Sequence, residues 1–291
     1  MDVSVVIATK DRAAYVERAL AALRAQSGAP PFEAIVVDNG SADDTREVVE
    51  RAAALDGPAV RYVYEGEPNR GKARNRGAAL AAGSLLVFCD DDVWLPPGWI
   101  AAHAAAHRAG KARVVNGPIL NVPSYDARPK PAAANYSRAF LCTCNASLPR
   151  AAFERVGGFD ENFPLYGWED TELGTRLRQS GLGWGFAWDA YLWHIKTQAD
   201  NTLEVETRKA AERARMARRF LELHPSRRAR MATGAHAFNL MRGRYLVPDA
   251  LLALYAGVAT EPRVPAWLRA AARGAFLDGT YVRELARALS R

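Results

Sequence analysis

The chain has 291 residues, 49% of them hydrophobic, enough to bury a full core, and no apolar run approaches the roughly 18 residues of a membrane-spanning helix. The opening residues MDVSVVIATK lack the basic region and cleavage pattern of a signal peptide. The three cysteines, Cys89, Cys142 and Cys144, are too few for a disulfide framework, and Cys-x-Cys is not the spacing of a zinc pair. A cytoplasmic protein with buried, reduced thiols is therefore expected. The net charge of +7 is uneven. Residues 204–291 hold 17 Lys+Arg against 8 Asp+Glu, a net +9, while residues 1–203 hold 22 against 24, a net −2.

The first 120 residues alternate strand and helix patterns. Val3–Ile7 reads as a buried strand, followed by a helix with Tyr15, Ala19, Leu20 and Leu23 on one stripe. Ala34–Val37 is a second strand, with a helix start expected from Ser41 through Asp43 and Asp44. Val60–Tyr64 is a third strand, residues 72–82 a helix, and residues 84–89 a fourth strand. This alternation predicts an α/β fold, a mostly parallel sheet flanked by helices. Residues 120–138, rich in Pro and Ala, read as a loop expected to be mobile. Phe186, Trp188, Ala190, Leu192 and His194 read as one face of a single strand. Beyond about residue 204 the pattern is helical and Arg-rich.

Ligands of such sheets bind beyond the carboxyl ends of the strands, so the residues after each strand carry the argument. After the fourth strand stand Asp90, Asp91 and Asp92. Like charges about 4 Å apart repel by roughly 4 kcal/mol at an effective dielectric of 20. In an extended chain Asp90 and Asp92 would face one way and Asp91 the other, and the pair could hold a hard divalent cation. A solvated, Asp-rich turn before Pro96-Pro97 is the plainer reading. Asn69-Arg70-Gly71-Lys72-Ala73-Arg74-Asn75-Arg76 crowds cations at a helix start, where they oppose the helix dipole unless an anion docks. Asp38 can accept an N–H from a base or cap its own turn. Asp170, three residues before Leu173, falls on the inward face of a helix beginning near Glu169, as a general base or as an ordinary first-turn acid. His194 is a structural histidine or a third metal ligand.

Six stretches, VSVVIATKDR, VVDNGSADDT, NRGKARNRG, FCDDDVWLPPGW, NASLPRAAFERVGGFDENF and GWEDTELGTRLRQSG, resemble the family 2 glycosyltransferases in family order across residues 3 to about 195. The resemblance implies the GT-A fold in residues 1–203. A nucleotide-sugar half occupies about 1–118 and an acceptor half about 119–203, with a separate basic helical region at 204–291. It implies an inverting enzyme that moves a sugar from a nucleoside diphosphate sugar to an acceptor hydroxyl. The pathway expected is bacterial surface polysaccharide, glycolipid or other glycoconjugate synthesis. Thr9, Arg12, Asp38, Asn69, Arg74, Asp90 and Asp91 fall on the nucleotide-sugar side. Asp92 and His194 fall to Mn2+ or Mg2+, Trp168 and Glu169 to the acceptor side, and Asp170 to the base. The Gln-x-x-Arg-Trp motif of processive synthases is absent, which favours one sugar per encounter. The competing readings are a sugar-nucleotide nucleotidyltransferase, which would need a Gly-rich loop after the first strand, and a catalytically silent sugar-nucleotide-binding module. A saccharide or lipid-linked acceptor is expected and no nucleic acid. The basic helices would form a helical cap, a homodimer contact or a peripheral contact with the inner face of the membrane.

Overall fold

The computed structural model describes residues 2–108, 113–197 and 201–290. The described chain forms two compact units, one from residues 1–164 and 169–197, the other from 165–168 and 198–291. The first is a three-layer α/β structure. Its strands are β1 (Val3–Thr9), β2 (Phe32–Asp38), β3 (Ala59–Tyr64), β4 (Leu85–Cys89), β5 (Val93–Trp94), β6 (Arg113–Asn116), β7 (Ile119–Val122), β8 (Asn145–Pro149), β9 (Gly183–Phe186) and β10 (Leu192–Ile195). Its helices are α1 (Ala13–Arg24), α2 (Thr45–Ala53), α3 (Arg70–Leu80), α4 (Trp99–Arg108), α5 (Arg150–Arg155) and α6 (Glu169–Gln179).

The main sheet has the order β3-β2-β1-β4-β8-β6-β9. Its pairs are parallel except where β8 runs antiparallel between β4 and β6. The period-2 alternation of the strands divides the core in two. Val3, Val5 and Ile7 face α1, α2 and α4, while Val6 on the same strand faces α3, α5 and α6. Gly77 brings α3 down on β1, since a Cβ there would meet Val6 Cγ1 at 2.5 Å. A second sheet, β5-β10-β7, sits beside the end of β4, with His194 opposite Val93 and beside Asn121.

Three expectations change. The run 186–194 is two strands in different sheets, because Ala187–Tyr191 forms a turn in which Ala190 N donates to Ala187 O. The segment 120–138 contains β7 and a 3-10 turn, Ala133–Asn135. The second helix begins at Thr45, because Asp43 accepts from Thr45 N and Thr45 Oγ1 and fixes the start there.

The second unit contains α7 (Leu203–Leu223), α8 (Arg227–Thr233), α9 (Ala237–Met241), α10 (Asp249–Thr260) and α11 (Ala266–Leu289). Thr202 caps α7 by accepting from Val205 N, and Ser226 caps α8 in the same way from Ala229 N. The long helices bury small residues and a few large ones: Ala214, Ala217 and Phe220 on α7, and Gly279, Val282 and Leu285 on α11. The Trp168 ring stacks on Phe220 at 5.2 Å, and its Nε1 donates to Arg213 O at 2.8 Å. Trp168 holds this position with φ +73°, a left-handed conformation costing a non-glycine residue roughly 1–2 kcal/mol.

Candidate active site

Asp90, Asp91 and Asp92 occupy the bend between β4 and β5 and do not continue the strand. The strict alternation expected of an extended chain is therefore broken. Arg12 Nη1 lies 3.3 Å from Asp91 Oδ1 and 2.9 Å from Asp92 Oδ2, bridging the two. Thr9 Oγ1, at the end of β1, donates to Asp91 Oδ2 at 2.6 Å. Burial pushes Asp91 up to about 6, against the pull of Arg12 and Thr9. Asp92 is nearly as buried, but His194, Lys196 and Arg12 outweigh burial and hold it well below the usual carboxylate range. Lys196 Nζ is 3.3 Å from Asp92 Oδ2 and His194 Nε2 is 2.9 Å from Asp92 Oδ1. β10 is registered there because Ile195 N donates to Asp92 O at 2.8 Å.

Across the triplet, Arg74 reaches Asp90. Its Nη2 donates to Asp90 Oδ1 at 3.1 Å. The close seat of α3 on β1 buries this guanidinium, and Asp170, Asp90 and Glu169 keep it strongly protonated against that burial. Asp170, in the first turn of α6, accepts from Thr143 N at 2.9 Å and from Thr143 Oγ1 at 2.8 Å. Burial raises the Asp170 carboxyl, opposed by Arg74 and by the Thr143 hydrogen bonds. Burial and the neighbouring Asp170 charge raise Glu169.

Three buried polar atoms of this pocket have no hydrogen-bond partner: Arg74 Nη1, Glu169 Oε2 and His194 Nε2. A buried unsatisfied polar group costs roughly 1–3 kcal/mol. A donor, an acceptor and a ring nitrogen left open around four other carboxylates match a ligand that brings both anionic and hydroxyl oxygens, together with a cation. His194 Nδ1 lies 3.1 Å from Asn121 Oδ1, which orients the ring so that Nε2 faces the Asp92 carboxylate. The residues present therefore fit a divalent cation. A carboxylate oxygen of Asp90, Cys144 Sγ and a His194 ring nitrogen lie within 4.8 Å of one another.

Other predicted residues are engaged differently. Asp38 caps its own turn, accepting from Ser41 N at 2.8 Å, and its second oxygen accepts from Tyr62 Oη at 2.8 Å. Asn69 is the N-cap of α3, accepting from Lys72 N at 3.0 Å, and its Nδ2 donates to Glu161 O. Trp168 and Glu169 part company: the indole is buried against Phe220, while the carboxylate lies in the pocket with Arg74.

Sequence reasoning missed Thr143, Cys144 and Lys196. It also missed a buried network in which Asn145 Oδ1 accepts from Trp99 Nε1 and meets His103 Nε2, each at 3.0 Å. Asn145 Nδ2 donates to Pro118 O and Ala190 O, and so ties β8 to the segments that enter β7 and β10. Gly117 permits that approach, since a Cβ would meet Ala190 O at 1.9 Å. The sequence signal was slight: Asn145 begins the recognised stretch NASLPR.

The family model described as glycosyl transferase family 2 matches residues 4–157. The chain belongs to this family. A second model, described as the N-terminal domain of galactosyltransferase, matches residues 128–198. Validoxylamine A glucosyltransferase of Streptomyces hygroscopicus subsp. limoneus is 32% identical over 264 residues, covering 77% of this chain and 57% of that protein. The same enzyme from subsp. jinggangensis is 32% identical, with 61% of its length covered. The chain thus spans about three fifths of these relatives. A mannosyltransferase from Pyrobaculum calidifontis, solved with GDP-Man and Mn2+, superposes with a TM-score of 0.66 at 19% identity, covering 99% of this chain and 86% of that one. S. aureus TarS superposes with a TM-score of 0.58 at 20% identity, covering 99% and 91%. The fold is that of the GT-A glycosyltransferases.

Proposed function

We propose that this protein transfers a single sugar from a nucleoside diphosphate sugar to an acceptor hydroxyl with inversion. The observation that carries this reading is the set of three open buried atoms, Arg74 Nη1, Glu169 Oε2 and His194 Nε2, around the Asp90–Asp92 bend. Arg74 receives the diphosphate, with Asp90 oriented by its other guanidinium nitrogen. Thr9 and Arg12 hold Asp91 and Asp92 rigid beneath the donor. Asp38 and Asn69 shape the nucleoside side by fixing its two turns. Asp90, Asp92 and His194 are the residues that would hold Mn2+ or Mg2+. Such an ion, when bound, neutralises charge developing on the leaving diphosphate.

Asp170 takes the proton of the acceptor hydroxyl as the oxygen attacks the anomeric carbon. Thr143 fixes its orientation through both carboxylate oxygens. A raised carboxyl pKa improves the base and places the acid limb of kcat/KM above the ordinary carboxylate range of about 4. Glu169 Oε2 accepts a second hydroxyl of the acceptor and so orients it. The nucleotidyltransferase reading receives no support from the family match.

No helix among the described residues is long and apolar enough to cross a membrane. A peripheral contact with an anionic bilayer is supported by the second unit, which exposes Phe238, Tyr245, Leu254 and Trp267 amid its excess of arginine.

The test is release of nucleoside diphosphate from a panel of UDP- and GDP-sugars with Mn2+. Acceptors should include validoxylamine A, named for the glucosyltransferase relatives, beside lipid-linked saccharides. The expected result is acceptor-stimulated release with one donor. Tight donor binding without turnover under every condition supports the silent binding module and overturns the proposal.

A further inference from the structure

Tyr136, Trp184, Phe186 and Trp188 gather their rings at the edge of the main sheet. Trp184 and Phe186 alternate with glycines along β9, the edge strand, and so share one face. Tyr136 packs on both, its ring centroid 6.1 Å from that of Trp184 and 4.9 Å from that of Phe186. Trp188, just past the strand, lies 5.0 Å from Phe186 and 6.2 Å from Tyr136. The Tyr136 and Trp188 rings are within 23° of parallel. A ligand ring clamped between two aromatic planes needs about 7 Å, two carbon contacts of about 3.5–4.0 Å each. This pair is too close for a clamp and presents one stepped surface. The cluster has not buried itself: Tyr136 is 45% exposed and Trp188 43%. Arg138 and Asp189, exposed beside it along the chain, have no ion-pair partner among the described residues.

Its place in the sheet ties this surface to the candidate base. β9 runs parallel to β6, and β8 reverses between β6 and β4, so the carboxyl end of β9 lies at the same end of the sheet as Asp90–Asp92. Trp184 Nε1 donates to Ala139 O at 3.0 Å. Asn116, level with Phe186, donates from Nδ2 to Ala139 O and Phe140 O and accepts at Oδ1 from Cys142 N. The segment 136–143 therefore starts at the aromatic surface and ends at Thr143, which fixes Asp170. We infer that Tyr136 and Trp188, backed by Trp184 and Phe186, form a stacking shelf for a sugar ring of the acceptor. A pyranose ring has a face of C–H groups and a rim of hydroxyls. That matches a flat aromatic surface with hydrogen-bonding side chains beside it. Two rings less than half exposed offer on the order of 200 Å², far below the roughly 800 Å² per partner of a stable protein interface. A single sugar ring covers such a patch, and a second protein does not find enough of it. The inference rests on the transferase reading and gives its acceptor a class: a molecule that is already a saccharide.

The experiment is saturation-transfer NMR of the full chain with the methyl glycosides of glucose, galactose, mannose and N-acetylglucosamine, without nucleotide. The signal is expected on the ring C–H protons of at least one glycoside, and is expected to vanish when Tyr136→Ala and Trp188→Ala are combined. It should persist in Tyr136→Phe, which keeps the ring, and in Trp267→Ala, which removes an indole 72% exposed elsewhere in the chain. With the acceptor that supports turnover, Trp188→Ala should raise the acceptor KM about tenfold, with kcat at saturating acceptor and the donor KM little changed. A signal that survives the double variant, or no signal from any of the four glycosides, overturns the inference. So does a concentration-dependent dimer in sedimentation that the double variant abolishes, which assigns the surface to a second copy of the chain. Sugar transfer with an acceptor KM indifferent to Trp188→Ala sinks the shelf alone. A shelf-dependent glycoside signal without turnover of any donor sinks the transferase reading and leaves a saccharide site standing.

Discussion

The two units place their charge and their apolar surface in opposite ways. The sheet unit buries Glu33, Asp38, Asp91, Asp92 and Glu172 to 6% exposure or less, and each has cation or hydrogen-bond partners. Among the described residues of 201–290 no charged side chain is buried to that extent. That unit instead exposes large apolar side chains such as Met231, Phe238, Tyr245 and Trp267, and ties its charges in pairs within and between helices. Burying a charge costs several kcal/mol unless it is paired, so buried charge persists where a structural partner, as for Glu33 and Glu172, or a ligand offsets it.

Four changes probe this contrast, taken in order of expected size. Asp170→Asn should lower kcat about a thousandfold with donor affinity kept, measured by diphosphate release and by thermal shift with nucleotide. A drop below tenfold would remove Asp170 from the base role. Phe220→Ala, which takes away the stacking partner of Trp168, should destabilise the helical unit by about 3–4 kcal/mol in chemical denaturation. If the loss were under 1 kcal/mol, the small core of that unit would not depend on this ring.

The third change is pH. Burial pushes His103 down to about 4 from an ordinary 6.5. Its contribution to stability is complete above about 6.5 and is lost as pH falls towards 4, because the unfolded chain takes up the proton first. The folding free energy should drop by about 3 kcal/mol over that interval, and His103→Gln should flatten the slope. An unchanged slope in the variant would assign the acid lability to other groups. The smallest effect belongs to the helical surface: Arg218→Gln, breaking an exposed pair with Glu222 at 2.8 Å, should cost about 0.5 kcal/mol or less. An effect above about 2 kcal/mol would mean that this surface carries more than solvated charge.

Much of the site was legible because its chemistry sits at strand ends. Period-2 patterns located β1, β2 and β4, and the residues after them supplied Thr9, Arg12 and Asp90 through Asp92. The 3.6-residue stripe of Leu173 and Leu177 placed Asp170 inward, and both leucines are fully buried. The rest depended on pairings between distant segments, which no local pattern reports. Lys196 meets Asp92 only because β10 inserts beside β5. Cys144 meets Asp90 only because β8 runs antiparallel in an otherwise parallel neighbourhood. The positive φ of Trp168, whose ring stacks on Phe220, likewise leaves no trace in a one-letter sequence.

The placement of β10 has a consequence for the order in which the molecule assembles. His194 pairs with Val93, and Ile195 N closes on Asp92 O, about a hundred residues back along the chain. Contacts of that span carry a large loop-closure entropy and are made late. A nascent or refolding chain can thus complete β1, β2 and β4, with Arg12 and Arg74 beside the three aspartates, before Lys196 and His194 arrive at Asp92. Refolding of the pocket should be the slow phase, hastened by added salt or divalent cation, which screen the aspartates while the last strand is still outside.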